Sequence, residues 1–163
     1  MTLLRTSFWK RIKIMGADQI IITSPLSPEE FEMYYDLRWR KLRKPWNQPE
    51  GSEKDTLEET AYHIMACLND RIPIGIGRLH LNSPDEAQIR FMAVEDDYQK
   101  RGIGSMIIKE LERKALESGV KYIVLNSRDT AIPFYEKHGY KNIEQTLTLF
   151  GSIPHHVMRK DLI

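Results

Sequence analysis

Cysteine is nearly absent from this chain of 163 residues, which contains a single one at position 67. One cysteine excludes an internal disulfide framework and a cysteine-rich metal site, and it fits a reducing compartment. Cys67 is therefore expected to be a small buried hydrophobic residue, with a covalent acyl-cysteine intermediate as the alternative.

The chain also lacks a strong charge bias and a long apolar run. Its net charge is +1, so no overall field draws it to nucleic acid or to an anionic membrane. No apolar stretch approaches the roughly 20 residues of a membrane-spanning helix, and the N-terminus has no signal-peptide pattern. These absences predict a soluble, cytoplasmic protein with neither a nucleic-acid nor a membrane partner.

The length and the order of the local patterns predict one domain. Residues 1–18, basic with scattered apolar positions, are expected to form an N-terminal extension, and residues 19–163 a single domain. The predicted order of elements in residues 19–163 is β-α-β-β-β-α-β-α-β-β. This order predicts a mixed α/β fold with an antiparallel meander near its middle. The strands are expected at 19–24, 61–68, 73–81, 87–94, 121–126, 140–149 and 155–160, the helices at 28–43, about 103–117 and 130–138, and a loop at 44–59.

Three local features refine this prediction. Ser27 and Glu30 have the spacing of a capping box at the start of the first helix, and Thr130 is the expected cap of the last one. Gly75 and Gly77 lie two apart on one strand and leave a smooth face, which would accommodate either a substrate or a helix.

Two glycines stand where the third strand of the meander passes into a helix, in the segment "YQKRGIGSM". The first backbone N–H groups of a helix have no internal partners, and glycines let an anion approach them while the helix dipole favours negative charge. A phosphate or pyrophosphate suits this position, and a ligand-free helix start is the alternative. Position 107 is Ile and no Gly-Lys-Ser/Thr follows the glycines, which excludes the dinucleotide fingerprint and the P-loop.

The same segment carries a family resemblance. Residues Tyr98 to Gly104, preceded by Met92-Ala93-Val94, resemble the Q/R-x-x-G-x-G/A acyl-CoA pyrophosphate loop of the GNAT superfamily of N-acetyltransferases. Residues Leu125 to Arg128, Ala131 and Phe134 to Tyr140 resemble the second conserved block of that superfamily. The resemblance implies a central, mostly antiparallel twisted sheet of about seven strands flanked by helices. It also implies acetyl-CoA (coenzyme A) as co-substrate and no metal.

The resemblance implies three groups of cofactor-binding residues. The backbone of Met92, Ala93 and Val94 is expected to run beside pantetheine like an added strand. Asn126 is expected to contact the pantetheine amides or hold a water molecule, unless it merely ends a strand. The pyrophosphate is expected at the loop, which comprises Gln99, Lys100, Arg101, Gly102, Ile103, Gly104 and Ser105.

Acyl transfer to an amine needs a base and an acid. A Lys-like amine has a pKa near ~10.4, so only about one molecule in two thousand is the nucleophilic free base at neutral pH, and some group or water chain must take its proton. The sulfur that leaves as a thiolate can then be protonated by a nearby hydroxyl. Tyr135 occupies the position of this acid in the resemblance and is expected to contact the cofactor; a half-buried structural aromatic is the alternative.

The general base is less clearly marked. GNAT enzymes often place a glutamate in the strand before the loop, but Ile89-Arg90-Phe91-Met92 contains none. The candidates are His63, His80, His155, Glu53, Asp55, Glu58 and Glu59. His155 is favoured as a catalytic residue because Ile153-Pro154-His155 resembles a segment of a bacterial subgroup of uncharacterised GNAT proteins. His155 and His156 do not predict a metal site, because neighbouring strand residues point apart.

The resulting prediction is an acyl-CoA-dependent N-acyltransferase that moves acetyl from acetyl-CoA to a primary amine in a ternary complex. The acceptor would be a small molecule or a peptide, and the resemblance allows a homodimer. The missing strand glutamate leaves two alternatives, a CoA-binding regulatory or inactive module and acyl transfer to a hydroxyl. The acidic residues between Glu53 and Glu59 indicate either a cationic acceptor or simply a solvated loop.

Overall fold

The computed structural model describes residues 10–13 and 19–163, with side chains for residues 19–144 and 149–163. Eight strands form one mixed sheet in the described part of the chain, and three α-helices accompany it. The strands are β1 Lys10–Lys13, β2 Gln19–Thr23, β3 Tyr62–Cys67, β4 Pro73–Leu81, β5 Glu86–Val94, β6 Tyr122–Arg128, β7 Lys141–Leu149 and β8 Ile153–Asp161. The helices are α1 Pro28–Leu42, α2 Ile103–Glu117 and α3 Ile132–Lys137, and short 3-10 turns span Lys44–Trp46, Asp96–Tyr98 and Asp129–Ala131.

The predicted fold class is confirmed, and from Gln19 onward the elements follow the predicted order. β1 adds a strand within the segment expected to be an extension, and the remainder of residues 1–18 lies outside the described residues. The cap predicted for α3 is wrong. Ala131, not Thr130, occupies the N-cap position of α3, and no described side chain caps this helix.

The sheet order is β1-β2-β3-β4-β5-β6-β8-β7. Among the described strands, β5 and β6 are the only parallel neighbours, and all other neighbours are antiparallel. A parallel pair requires a crossover connection, which α2 supplies between β5 and β6. The start of α2 therefore lies next to the end of β5.

The start of α1 is held by Ser27 and Glu30, although not as a complete capping box. The Ser27 hydroxyl accepts a hydrogen bond from the Glu30 N–H at 3.1 Å, as predicted. The Glu30 carboxylate accepts from the Leu26 N–H at 2.6 Å and from the Arg71 guanidinium, whose Nη2 lies 2.9 Å away. These hydrogen bonds, with that of Arg71 as the largest cause, lower the pKa of Glu30 to about 2. Glu30 thus ties the first turn of α1 to the connection between β3 and β4.

Close packing against α2 accounts for the two glycines of β4. A Cβ at Gly75 would come within 2.9 Å of Ile103 and Ile107, and one at Gly77 within 2.8 Å of Ile107. Contacts this short are prohibitive, so only a residue without a side chain lets the helix lie this close to the strand. The smooth face of β4 receives a helix rather than a substrate.

The opposite face of the sheet packs against α1. Tyr34 and Leu37 form a buried cluster there with Met65, Cys67 and Ile76. Cys67 is fully buried, and burial raises the pKa of its thiol to about 11. A thiol with so little thiolate is a poor nucleophile, so Cys67 is a core residue, as the sequence predicted.

Candidate active site

A groove opens where β5 and β6 stop pairing. Their parallel ladder ends at the pair Ile89 and Leu125, whereas β5 continues to Val94 and β6 to Arg128. Beyond that point β5 pairs with β4, and β6 pairs with β8. The facing edges between them bound a cavity of about 1020 Å³ that continues to the start of α2.

A β-bulge reinforces the separation of the two strands. The register between β4 and β5 shifts by one residue between Ile76 and Arg78, so that Phe91 and Met92 together lie opposite Gly77. Phe91 has a φ of 60°, a left-handed conformation that costs a residue with a side chain roughly 1–2 kcal/mol. Bulges bend a strand and redirect its side chains, and this one directs β5 away from β6.

The backbone at the start of α2 is shaped to receive an anion. Lys100 and Gly102 both have positive φ, 60° and 80°, and no described side chain caps the helix at Gly102. Positive-φ residues within a turn aim successive N–H groups into one concavity, and the helix dipole adds partial positive charge there. A Cβ at Gly104 would lie 3.2 Å from the Phe134 ring, so this glycine also keeps the concavity close to α3.

The predicted loop residues are not equivalent in the structure. Gln99, Lys100, Gly102, Ile103, Gly104 and Ser105 line the groove, whereas Arg101 does not, and its guanidinium lies 5.2 Å from the centre of the Tyr98 ring. The Gln99 side-chain amide donates to the Val94 carbonyl and to Asp96, each at 3.2 Å. Gln99 therefore fixes the loop to the end of β5. Because its side-chain amide is already hydrogen-bonded, the backbone N–H groups are the main donors that the loop offers to an anion.

The other predicted cofactor-binding residues lie along the facing edges of the groove. Met92, Ala93 and Val94 line it from β5, where their outer backbone groups have no partner on β6. Asn126 lines it from β6, one residue beyond the last pair with β5, and its side chain is exposed. An extended amide-containing chain in this gap would complete the interrupted sheet.

Tyr135 lies on α3 and borders the same groove. Its side chain is 8% exposed, and its ring packs edge-on against Phe134 and Tyr140. Burial raises the pKa of the Tyr135 hydroxyl to about 12, and the nearby Arg128 opposes part of this effect. The hydroxyl thus stays protonated throughout the neutral range, which is the state that an acid requires.

His155 lines the groove from β8, opposite Arg128 of β6. Its Nδ1 lies 3.0 Å from the Ile153 carbonyl oxygen. A carbonyl can only accept, so Nδ1 carries the proton of the neutral ring, and Nε2 keeps the lone pair. His156 is directed elsewhere, with its Nε2 2.5 Å from Asp129 and its Nδ1 3.2 Å from Asn142.

His63 and Glu58, two of the remaining base candidates, belong to a cluster of polar side chains beneath α1. His63 contacts the Tyr34 hydroxyl through Nδ1 and the Glu58 carbonyl through Nε2, and burial lowers the pKa of its ring. Glu58 also accepts from Arg38 and Arg78, each at 2.8 Å, and neither arginine is exposed.

Asp55 pairs with Arg78 at 2.7 Å, and the Glu53 carboxylate accepts from the Gly51 N–H at 2.7 Å. His80 is buried beside Arg78, and Glu59 is exposed. None of the seven candidates other than His155 lines the groove. Asp55 and Glu58 bind arginines of the protein itself, and none of the four acidic candidates lines the groove as a cationic-acceptor pocket would require.

Sequence reasoning missed a group of basic and aromatic side chains among those that line the groove. They are Arg43, Arg90, Phe91, Arg128 and Phe150. Of these, Arg128 entered the sequence analysis only as part of the second block of the family resemblance. Their shared location had no signal in the sequence, because they come from four separate segments.

No described helix has the length and apolarity to cross a membrane. Within the same part of the chain, no three or more histidine, cysteine or acidic side chains are grouped as metal ligands would be.

Comparisons with known proteins agree with this geometry. The sequence pattern described as "Acetyltransferase (GNAT) family" matches residues 31–140. The uncharacterised N-acetyltransferase YjcF of Bacillus subtilis is 31% identical over 133 residues, which are 82% of this chain and 94% of that protein.

Two solved structures share the fold. An aminoglycoside 6'-N-acetyltransferase complexed with coenzyme A has a TM-score of 0.74 and 17% identity, with 88% of this chain and 97% of that chain covered. A GNAT family acetyltransferase from Elizabethkingia anophelis with acetyl-CoA bound has a TM-score of 0.68 and 17% identity, with 88% and 98% covered. On the extent of the family match and the identity to YjcF, the chain belongs to the GNAT family of acetyltransferases.

Proposed function

We propose that this chain transfers an acetyl group from acetyl-CoA to a primary amine by direct attack in a ternary complex. The observation that carries the proposal is the continuous groove between β5 and β6, which joins the uncapped start of α2 to Tyr135 and His155. We assign the catalytic domain to residues 19–163, with residues 1–18 as an extension.

The cofactor would occupy the groove in an extended conformation. Its pyrophosphate would bind the backbone N–H groups at the first turn of α2, near Lys100. Its pantetheine amides would pair with the free edge of β5 at Met92 to Val94 and with the exposed Asn126. This arrangement is supported by the CoA and acetyl-CoA that the two solved structures contain.

The proposed acyl transfer uses one residue that donates a proton and one that accepts a proton. The neutral amine attacks the thioester carbonyl carbon, a C–N bond forms, and collapse of the tetrahedral intermediate breaks the C–S bond. The Tyr135 hydroxyl gives its proton to the departing thiolate, and the Nε2 of His155 receives the proton that the amine loses. Proton return through solvent restores both residues, and the products are the acetylated amine and CoA thiol.

His155 takes the role that a strand glutamate often has. Its Nδ1 is fixed to the Ile153 carbonyl, which orients the ring and leaves Nε2 as the acceptor within the groove. The missing glutamate of β5 therefore does not leave the groove without a proton acceptor, and this favours an enzyme over a CoA-binding module.

Release of CoA thiol from acetyl-CoA in the presence of a broad amine panel tests this function. The Tyr135→Phe variant is expected to lose about 10²- to 10⁴-fold in kcat, the range for a general acid, while its affinity for CoA by calorimetry stays unchanged. Tyr62→Phe, an exposed tyrosine of β3 outside the groove, is the matched control and should retain full activity.

Each alternative has a distinct outcome. If CoA binds but no acceptor causes release of CoA thiol from acetyl-CoA, the chain is a binding module. If alcohols cause this release and amines do not, the reaction is O-acyl transfer. Absence of CoA binding, or a Tyr135→Phe variant as active as the wild type, would refute the proposed enzyme or its acid, respectively.

A further inference from the structure

The groove is lined by basic residues and by no described acidic residue. Its described lining includes Lys41, Arg43, Arg90, Lys100, Arg128 and Lys137, and no Asp or Glu. Lys100 and Lys137 lie near the start of α2, where the cofactor phosphates would bind. Three arginines, Arg43, Arg90 and Arg128, lie outside the glycine loop and α2, and the expected position of the cofactor phosphates does not account for them.

These three arginines, Arg43, Arg90 and Arg128, are joined by a wall of aromatic rings. Arg43 and Arg90 lie over the Phe91 ring, 5.6 and 4.6 Å from its centre. Arg43 also lies 5.6 Å from the centre of the Phe150 ring.

Phe150 stacks on Trp46 with ring centres 6.1 Å apart, and Arg128 lies 4.6 Å from the centre of the Trp46 ring. The end of α1, the bulge of β5, the turn before β8 and the end of β6 thus converge on one site. We call the three guanidinium groups the arginine triad.

The charge of the arginine triad is only partly compensated. The Arg43 guanidinium donates to the backbone carbonyls of Ser52 and Leu42, at 3.1 and 2.9 Å. Arg90 lies 3.3 Å from Asp55, a carboxylate that Arg78 already binds at 2.7 Å. No described carboxylate lies within ion-pair distance of Arg43 or Arg128.

Burial adds to this imbalance. It lowers the pKa of all three guanidinium groups, and for Arg43 the repulsion from Arg90 and Arg128 lowers it further. Half-buried cations without a full complement of anions create a strong local preference for a bound anion.

We propose that the acceptor is an amine bearing an anionic group, a carboxylate or a phosphate, which the arginine triad binds so that the amine faces the thioester. This inference rests on the proposed acetyltransferase function and names its substrate class. Guanidinium groups suit carboxylate and phosphate because their planar donors form paired hydrogen bonds with either group.

The same positive site favours the nucleophilic form of the amine. A nearby positive charge disfavours the ammonium ion and lowers the pKa of the amine, which raises the fraction present as the neutral nucleophile. A second positive charge on the acceptor would instead be repelled. The groove therefore discriminates by charge, and the selected molecule holds its anion and its amine at opposite ends.

Matched amines with acetyl-CoA test the inference. We would compare aminoalkanoates of two to six carbons with the corresponding amides, 2-aminoethyl phosphate with ethanolamine, and 1,4-diaminobutane as the cationic member. The wild type is expected to show a kcat/KM at least about 10-fold higher for the anionic member of a pair, from the usual strength of hydrogen bonds to charged groups. Comparison of the aminoalkanoates with 2-aminoethyl phosphate shows whether the site prefers a carboxylate or a phosphate.

Three variants locate the effect. Arg128→Gln should lower the ratio of kcat/KM for the anionic amine to kcat/KM for its neutral partner by about 10- to 100-fold, and Arg128→Lys should restore part of this ratio. Arg113→Gln removes an exposed arginine of α2 that pairs with Glu110 and Glu117, and it should have no effect on either amine.

A binding experiment tests the arginine triad even if the true acceptor is not among the amines of the panel. With the protein saturated by CoA, so that the phosphate-binding loop is occupied, inorganic phosphate and glutarate are titrated by calorimetry into the wild type and Arg128→Gln. Binding by the wild type that weakens at least about 10-fold in the variant supports the inference. Binding of neither anion, or a panel in which neutral or cationic amines react as well as anionic ones, overturns it. Absence of thiol release with normal anion binding would refute the proposed enzyme and leave the anion site standing.

Discussion

His155 shows how one backbone contact can give a side chain its chemical role. The Ile153 carbonyl accepts from Nδ1 at 3.0 Å, so the lone pair of the neutral ring is on Nε2, and His155 lines the groove. His156, the next residue, points toward Asp129 and Asn142 instead. Two adjacent histidines of the same strand therefore have different environments, and only one borders the proposed reaction.

The His155→Gln variant tests this difference. We expect kcat at pH 7 to fall about 10²- to 10⁴-fold with an alkylamine, because the variant has no group to take its proton. Methoxyamine should lose much less, since it is a far weaker base and is already largely neutral at this pH. Thiol release gives both rates, and calorimetry should show unchanged CoA affinity.

His156→Gln is the control and should keep full activity, since this residue does not line the groove. Equal losses with alkylamine and methoxyamine in His155→Gln would contradict a base and indicate a structural role for the ring.

At the scale of elements, the position of α2 depends on the glycines of β4. The helix can direct its first N–H groups into the groove only because it lies almost directly on the strand, where a Cβ at Gly75 would be 2.9 Å from Ile103 and Ile107. Gly75 and Gly77 thus help to position the proposed cofactor site through their packing against α2.

Gly75→Ala should lower the free energy of unfolding by about 1–3 kcal/mol through overpacking. One of the two atoms involved is the Cδ1 of Ile107, which Ile107→Val removes. Alone, Ile107→Val should cost about 0.5–1.5 kcal/mol. The double variant should therefore be more stable than the sum of the two losses predicts, as measured by urea unfolding. Strictly additive losses would show that the strand and helix do not meet as described.

The same scale shows what sequence patterns can predict. The bounds of α2 were predicted to the residue, because an apolar stripe, a glycine at each end and a preceding strand all agree. The Glu30 side chain was assigned to the wrong partners, since a capping box uses only local contacts and Arg71 lies 41 residues away. Spacing along a helix cannot indicate which distant cation competes for the carboxylate.

At the scale of the whole molecule, two ion pairs attach α1 and the loop after it to the sheet. Arg71 lowers the pKa of Glu30 to about 2, and Arg78 lowers that of Asp55 to about 2, from ordinary values of 4.5 and 3.8. In the unfolded chain these carboxylates take up protons at higher pH than in the folded protein. The contribution of these pairs to the free energy of unfolding is therefore fully present above about pH 5 and is lost as the pH falls toward 2.

The Glu30→Gln variant isolates one of these contributions. Near pH 7 it should lower the free energy of unfolding by about 1–3 kcal/mol, the range for hydrogen bonds to charged groups, and the difference from the wild type should shrink toward pH 2. Urea unfolding between pH 2 and pH 7 measures both. The exposed neighbour Glu29→Gln is the control. A constant difference across this range would contradict the assigned role of Glu30.

The sequence by itself determined the helices and strands from Gln19 onward, their order and the position of the glycine loop. Each of these depends on residues within about 15 positions of one another, where periodicity, caps and backbone freedom act directly. The tertiary structure alone decided which side chains share the groove. The bulge at Phe91, the burial of the acidic loop residues by Arg38 and Arg78, and the meeting of Arg43, Arg90 and Arg128 all join distant segments. The charge and burial of a site depend on such contacts between distant segments, because they are set by every neighbour in space and not by neighbours along the chain.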